Sequence, residues 1–295
     1  MPNSRRHFKF EVRLAAYIVA LAIAAASPLL ALLEPASVVV CGQAALPGGV
    51  IKVVVDSRHA AKARCYFNGR RYRLFAAGGE YRALIPVEVD TKPWSSGTVT
   101  VRYKSLFGDK VLYSGPVRVG EPDFDVIKLK ISRRKTKLYR DPAVPDARKL
   151  ISRALSKRDQ EQQWRGLFIM PVSGRISAPF GQRRVRRNKT LSYHLGMDIA
   201  ASSGTIVAAV NDGVVAVAGY FPLQGNAIII NHGQGVFSAC YHMSALATRE
   251  GLSVKKGDAV GKVGSTGIST GPHVHWSMFI HGVPVNPADW TRMVY

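Results

Sequence analysis

The stretch Gly264-Ser265-Thr266-Gly267-Ile268-Ser269-Thr270-Gly271-Pro272-His273-Val274-His275-Trp276 joins a glycine-punctuated turn to an alternating run that continues to Ile280. Alternation reads as a strand, and period two puts both imidazoles on one face with Val274 on the other. Outward from it, Thr205–Val210, Gly213–Ala218, Asn226–Asn231, Val236–His242 and Ala259–Val263 are also strand-like. Glycines from Gly204 to Gly271 interrupt these runs and leave no room for a helix of normal length. Residues 166–295 therefore read as an antiparallel, hairpin-built β domain.

The chain has 295 residues, enough for two ordinary domains, and a formal net charge of +22. That charge is unevenly placed. Residues 191–295 hold five basic residues (Arg249, Lys255, Lys256, Lys262, Arg292) and five acidic ones (Asp198, Asp212, Glu250, Asp258, Asp289), so all of the excess lies in residues 1–190. The neutral part carries the histidines His194, His232, His242, His273, His275 and His281.

The N-terminus sets the compartment. Arg5, Arg6, Lys9 and Arg13 precede an uncharged apolar run, Leu14 to Leu33, with Ala24-Ala25-Ala26 ahead of Ser27 and Pro28. Residues 1–33 read as a secretory signal peptide or a retained membrane anchor. Either places the rest outside the cytoplasm, in the periplasm or secreted, and excludes nucleic acid as a partner. The basic surface of residues 1–190 is then expected to meet anionic envelope polymers or a membrane surface.

Residues 43–120 carry short alternating runs bounded by turn signals such as Pro47-Gly48-Gly49, Asn68-Gly69 and Gly78-Gly79, and predict a β-sandwich module. Cys41 and Cys65 are candidates for pairing in an oxidising compartment. Residues 121–165 read as a basic linker with one helix, capped by Asp146 and running to about Trp164 with Leu150, Ile151 and Leu155 on one face. Arg183, Arg184, Arg186, Arg187 and Lys189 read as a solvated loop, with contact to an anionic substrate as the minority alternative.

The chemistry gathers in the neutral domain. A lone His-x-His or His-x-x-x-Asp is weak, but together His194, Asp198, His273 and His275 supply imidazoles and a carboxylate in the inventory of a zinc site with one position open to water. No HExxH arrangement is present, so the general base falls to a histidine. His232 and His281 read as structural and turn residues, and Cys240 as a small buried strand residue on the same side as His242.

Five ordered spans carry a resemblance: Ile176 to Arg183, His194-Leu195-Gly196-Met197-Asp198, Gly225-Asn226 leading to Asn231-His232-Gly233, Tyr241-His242-Met243-Ser244, and Gly264 to Trp276. Residues 166–295 resemble the lysostaphin/LytM-type zinc metallopeptidases. The resemblance implies His194, Asp198 and His275 as ligands of one zinc ion, His242 and His273 as catalytic histidines, and Asn188 as a substrate-binding residue. It implies a peptidoglycan endopeptidase with a groove over the metal, and an immunoglobulin-like N-terminal module. Ser277 stands where relatives often have Glu, which predicts an effect on packing or cleft shape only. The expected architecture is all-β: a sandwich module, a helical linker and an antiparallel β metallopeptidase domain. The expected activity is zinc-dependent hydrolysis of peptidoglycan peptide cross-links, as a D,D-endopeptidase. A non-catalytic scaffold or regulator of another wall hydrolase is the alternative, and residues 43–165 are a candidate for intramolecular autoinhibition.

Overall fold

The computed structural model describes residues 37–42, 44–128, 137–186 and 189–295. The segment 1–33 and Asn188 lie outside the described residues. No helix among the described residues is long and apolar enough to cross a membrane.

The N-terminal part is two packed sheets. Ser37–Cys41, Val50–Asp56, Glu80–Pro86 and Phe75–Ala77 form one. Ala44–Ala45, Gly108–Val119, Ser96–Ser105, Arg64–Phe67 and Arg70–Tyr72 form the other. Their inward residues share one core: Ile51, Val53, Val55, Ala83 and Ile85 meet Cys65, Val99, Val101 and Val117. Alternation does this directly, since every second residue turns inward. The three cysteines are free: Cys41 is exposed, and Cys65 is buried in this core.

The strand Glu80–Pro86 is buried on both faces. Ala83 and Ile85 face their own sandwich, while Leu84 joins the core of the C-terminal domain with Trp164, Trp290 and Tyr295. Arg82, on the same face as Leu84, reaches across with it. Its guanidinium donates to Gln162 Oε1 at 2.8 Å, Gln234 Oε1 at 2.6 Å and the main-chain oxygen of Tyr295 at 2.7 Å, and lies over the Trp164 ring.

The C-terminal domain is built on a large sheet in which Arg175–Ala178, Met197–Ala200, His273–Ile280, Val236–Met243, Gly225–Gly233, Gly213–Phe221 and Ser253–Val254 lie side by side. Both faces of its centre are covered. Val236, Cys240 and Met243 point into the main core, and Phe237, Ala239 and Tyr241 into a second cluster. The helix Val144–Leu155 covers that second cluster with Ala154 and Leu155.

The helix is shorter than its sequence suggests. It stops at Leu155, and the chain then runs along the turn after Gly225–Gly233, with Gln163 N–H donating to the His232 carbonyl and Gln234 N–H to that of Asp159. Trp164 is consequently a buried coil residue. Asp146 lies in the first turn, where its charge complements the helix dipole, and Ala143 occupies the N-cap position. The arginine-rich stretch is not a loop: Arg183–Arg186 pairs antiparallel with Lys189–Tyr193 and parallel with Val126–Lys128.

Candidate metal centre and active site

Register assembles the site. Met197–Ala200 and His273–Ile280 pair so that Asp198 lies opposite His275, and Val236–Met243 places Tyr241 on the other side of His275. The Tyr241 ring stacks on the His275 imidazole, 5.5 Å between centroids and nearly parallel. His194 enters from the preceding turn, fixed by backbone bonds from Gly181 N–H to its carbonyl and from its own N–H to Gln182. Gly196 is required here, because a Cβ would sit 2.5 Å from both His275 Nε2 and Ser277 Oγ.

The candidate ligating atoms converge. His194 Nε2, His275 Nδ1 and Asp198 Oδ1 lie within hydrogen-bond distance of one another, at 3.1, 2.7 and 3.0 Å. The outer nitrogens fix the tautomers. His194 Nδ1–H donates to the Pro179 carbonyl at 2.9 Å. His275 Nε2–H donates to Ser277 Oγ at 2.9 Å, and that hydroxyl donates on to the Leu195 carbonyl. The inner nitrogens of the neutral rings are therefore lone pairs. Two lone pairs and a carboxylate oxygen in mutual contact are arranged to hold a cation, and two imidazoles with one carboxylate form the donor set of an open zinc site. Burial lowers His275, which keeps its imidazole neutral.

His242 and His273 stand beside this group, with ring centroids 5.0 Å apart. His242 Nδ1–H donates to the Thr266 carbonyl at 2.9 Å, and His273 Nδ1–H to that of Gly271 at 2.8 Å. These bonds leave Nε2 as the remaining nitrogen of each ring, and that of His273 lies 3.8 Å from Asp198 Oδ1. Burial, with the neighbouring His275 and His273, pushes His242 down to about 3. The 264–271 turn supplies these carbonyls. It is held by Thr266 Oγ1, which donates to the Met243 carbonyl and accepts from Asn226 N–H.

The five histidine and aspartate positions singled out in the sequence are brought together. As expected from alternation, His273 and His275 line the groove while Val274 is fully buried. One expectation from alternation fails. Cys240 does not share a side with His242: it points into the core, and Tyr241 and His242 both line the groove. His242 has φ 65, a left-handed conformation that breaks the pleat at the strand end. His232 is a structural residue, held by the Asp212 carbonyl and Ser238 Oγ.

Sequence reasoning missed several groove residues. The groove, about 270 Å³, is also lined by Tyr139, Arg184, Leu223, Gln224 and Ile268. Tyr139 comes from the linker and Arg184 from the arginine-rich hairpin. Nothing in the local pattern marks Tyr139, and Arg184 is marked only as one of the basic run for which contact with an anionic substrate is the minority reading; the packing of distant segments brings both to the groove.

Residues 192–287 match peptidase family M23. The chain is 46% identical over 129 residues to the DD-carboxypeptidase/endopeptidase Mpg of Neisseria meningitidis serogroup B, covering 43% of this chain and 30% of that protein. It is 33% identical over 137 residues to the peptidoglycan DD-endopeptidase ShyA of Vibrio cholerae, covering 46% of this chain and 30% of that one. The chain thus spans under a third of the length of these curated relatives. The crystal structure of a candidate M23 peptidase from Pseudomonas aeruginosa superposes with a TM-score of 0.62 at 26% identity, over 83% of this chain and 94% of that one. With the site's geometry, these similarities make the C-terminal domain of this chain a peptidase family M23 domain.

Proposed function

We propose that the chain is an extracytoplasmic zinc metalloendopeptidase that hydrolyses peptide cross-links of bacterial peptidoglycan as a D,D-endopeptidase. The observation that carries this reading is the convergence of His194 Nε2, His275 Nδ1 and Asp198 Oδ1, with two further imidazoles beside them. Zinc held there by His194, Asp198 and His275 would polarise a scissile carbonyl and lower the pKa of water. The chain's own groups supply the proton chemistry. Carbonyls of Thr266 and Gly271 lock the Nδ1–H of His242 and His273, so a free Nε2 is available on each ring to accept a proton from the attacking water. The resulting imidazolium returns that proton to the leaving amine and stabilises the developing oxyanion. Tyr241 walls the groove and fixes the His275 ring.

The basic N-terminal segment and relatives named for peptidoglycan cleavage support an extracytoplasmic location. The arginines of residues 1–190 suit anionic envelope polymers or a membrane surface. Tyr139 borders the groove, which supports partial cover by the linker as an autoinhibitory element. The test is the full chain with purified cross-linked muropeptides, with and without a chelator, read by mass spectrometry. Chelator-sensitive loss of cross-linked dimers is expected. Binding of one zinc without any cleavage, in variants lacking Tyr139 cover as well, would favour the non-catalytic scaffold.

A further inference from the structure

A second cleft, about 410 Å³, opens where three segments meet: the strand Arg70–Tyr72 of the sandwich, the helix Val144–Leu155, and the turn His281-Gly282 of the peptidase domain. Arg70, Arg148 and Arg158 line it, and none of its lining residues is a carboxylate. Arg70 has one acidic neighbour, Glu88 at 3.7 Å, with both side chains exposed, so that pair neutralises little. Arg148 and Arg158 have no ion pair among the described residues.

Arg158 is half-buried and pre-set. Its Nη1 donates to the carbonyls of Leu155 at 2.9 Å and Lys157 at 2.7 Å, which anchors the guanidinium at the helix end. Its Nη2 has no protein partner among the described residues. The cationic character of the cleft is felt by its walls: burial, then Arg158 and Arg70, push His281 down to about 4, and burial with Arg70 lowers Arg158.

The cleft and the catalytic groove are neighbours. Gln224 lines both, and its backbone carbonyl accepts the His242 N–H at 2.8 Å. A ligand lying in the groove is therefore separated from the cleft of the three guanidinium groups only by the shared wall at Gln224. A cross-linked peptidoglycan substrate is two peptide stems, and free stems carry carboxylates, the group that guanidinium forks bind bidentately.

We propose that the Arg70–Arg148–Arg158 cleft is a subsite for the carboxylates of the second peptide stem, reached from the catalytic groove past Gln224. This rests on the endopeptidase reading above for the identity of the ligand.

The test measures binding apart from cleavage. The full chain, stripped of metal, is titrated calorimetrically with a cross-linked muropeptide dimer and with the same dimer amidated at its free carboxylates. Wild type is expected to bind the free acid about tenfold or more tightly than the amide. Arg148→Glu, on the exposed face of the helix, is expected to erase that preference while leaving the affinity for the amide unchanged, and Arg70→Glu to do the same. In the metal-loaded protein the same variants should raise KM for the free-acid dimer without lowering kcat. Equal affinity of wild type for the two dimers, or a preference that survives both substitutions, overturns the proposal. A wild type that shows the preference yet cleaves nothing would remove the endopeptidase reading and leave the subsite standing.

Discussion

His194 Nε2 lies 3.0 Å from His275 Nδ1, and in the neutral rings neither nitrogen carries the proton. Each has given its N–H to an outer partner, Pro179 for one and Ser277 for the other. The outer partners therefore decide the charge that the inner atoms can hold. Ser277→Ala should free the His275 tautomer and lower zinc affinity by about 10–100-fold, while Asp198→Ala or His275→Ala should abolish the tight equivalent. Chelator competition with the metal-loaded protein measures both. Unchanged affinity in Ser277→Ala would show that the hydroxyl does not orient the ring.

His242 and His273 touch no proposed metal ligand through a donated proton, so their loss should separate chemistry from metal binding. His242→Ala and His273→Ala are each expected to lower kcat on muropeptide dimers by roughly 10²–10⁴-fold with zinc content retained. Metal analysis of the same preparations is the control. A variant that loses zinc along with activity would assign its histidine to the metal instead.

The site was legible in the sequence where chemistry and period coincided. His273 and His275 fall on one strand face by alternation, and His194 and Asp198 are close in the chain. Tyr241 was less legible, because reading it on the groove side requires the left-handed turn at His242 that period two does not contain. Tyr139 was illegible for another reason: it arrives from a segment whose local pattern says only linker, while Arg184 was legible only as one member of a basic run read chiefly as a solvated loop. The helix end was misplaced because Trp164 continues an apolar spacing. Its burial comes instead from Arg82 and Leu84 of the other domain, a tertiary contact that local periodicity cannot encode.

Arg82 makes that interdomain contact testable. It is 7% exposed, and its partners are two amides, the main-chain oxygen of Tyr295 and an indole face, with no side-chain carboxylate among them. Burial pulls the guanidinium down to about 10, still charged at neutral pH. Arg82→Ala leaves Gln162 and Gln234 without their donor and opens space over Trp164, so a loss of about 2–4 kcal/mol is expected in urea unfolding. Arg82→Met, which restores the packing on the indole, should recover part of it. A change below about 0.5 kcal/mol for the alanine variant would place the two domains' coupling elsewhere.

His232 predicts how the fold responds to acid. Its Nδ1–H donates to the Asp212 carbonyl at 2.7 Å, and its Nε2 accepts from Ser238 Oγ at 2.8 Å, so the buried ring is complete only when neutral. Burial, opposed by the Asp212 carbonyl and charge, pushes it down to about 4 from an ordinary 6.5. The sign follows from proton counts. Between those values the unfolded chain binds a proton that the folded protein refuses, so acid favours unfolding. This contribution is intact above about pH 6.5 and is lost progressively as pH falls to about 4, by up to a few kcal/mol. Urea midpoints with chelator present, to remove the effect of metal release, should fall through that window for wild type. In His232→Gln, which keeps a polar group at the site but cannot titrate, the slope should be shallower. Parallel slopes would mean that His232 is not the group through which acid acts.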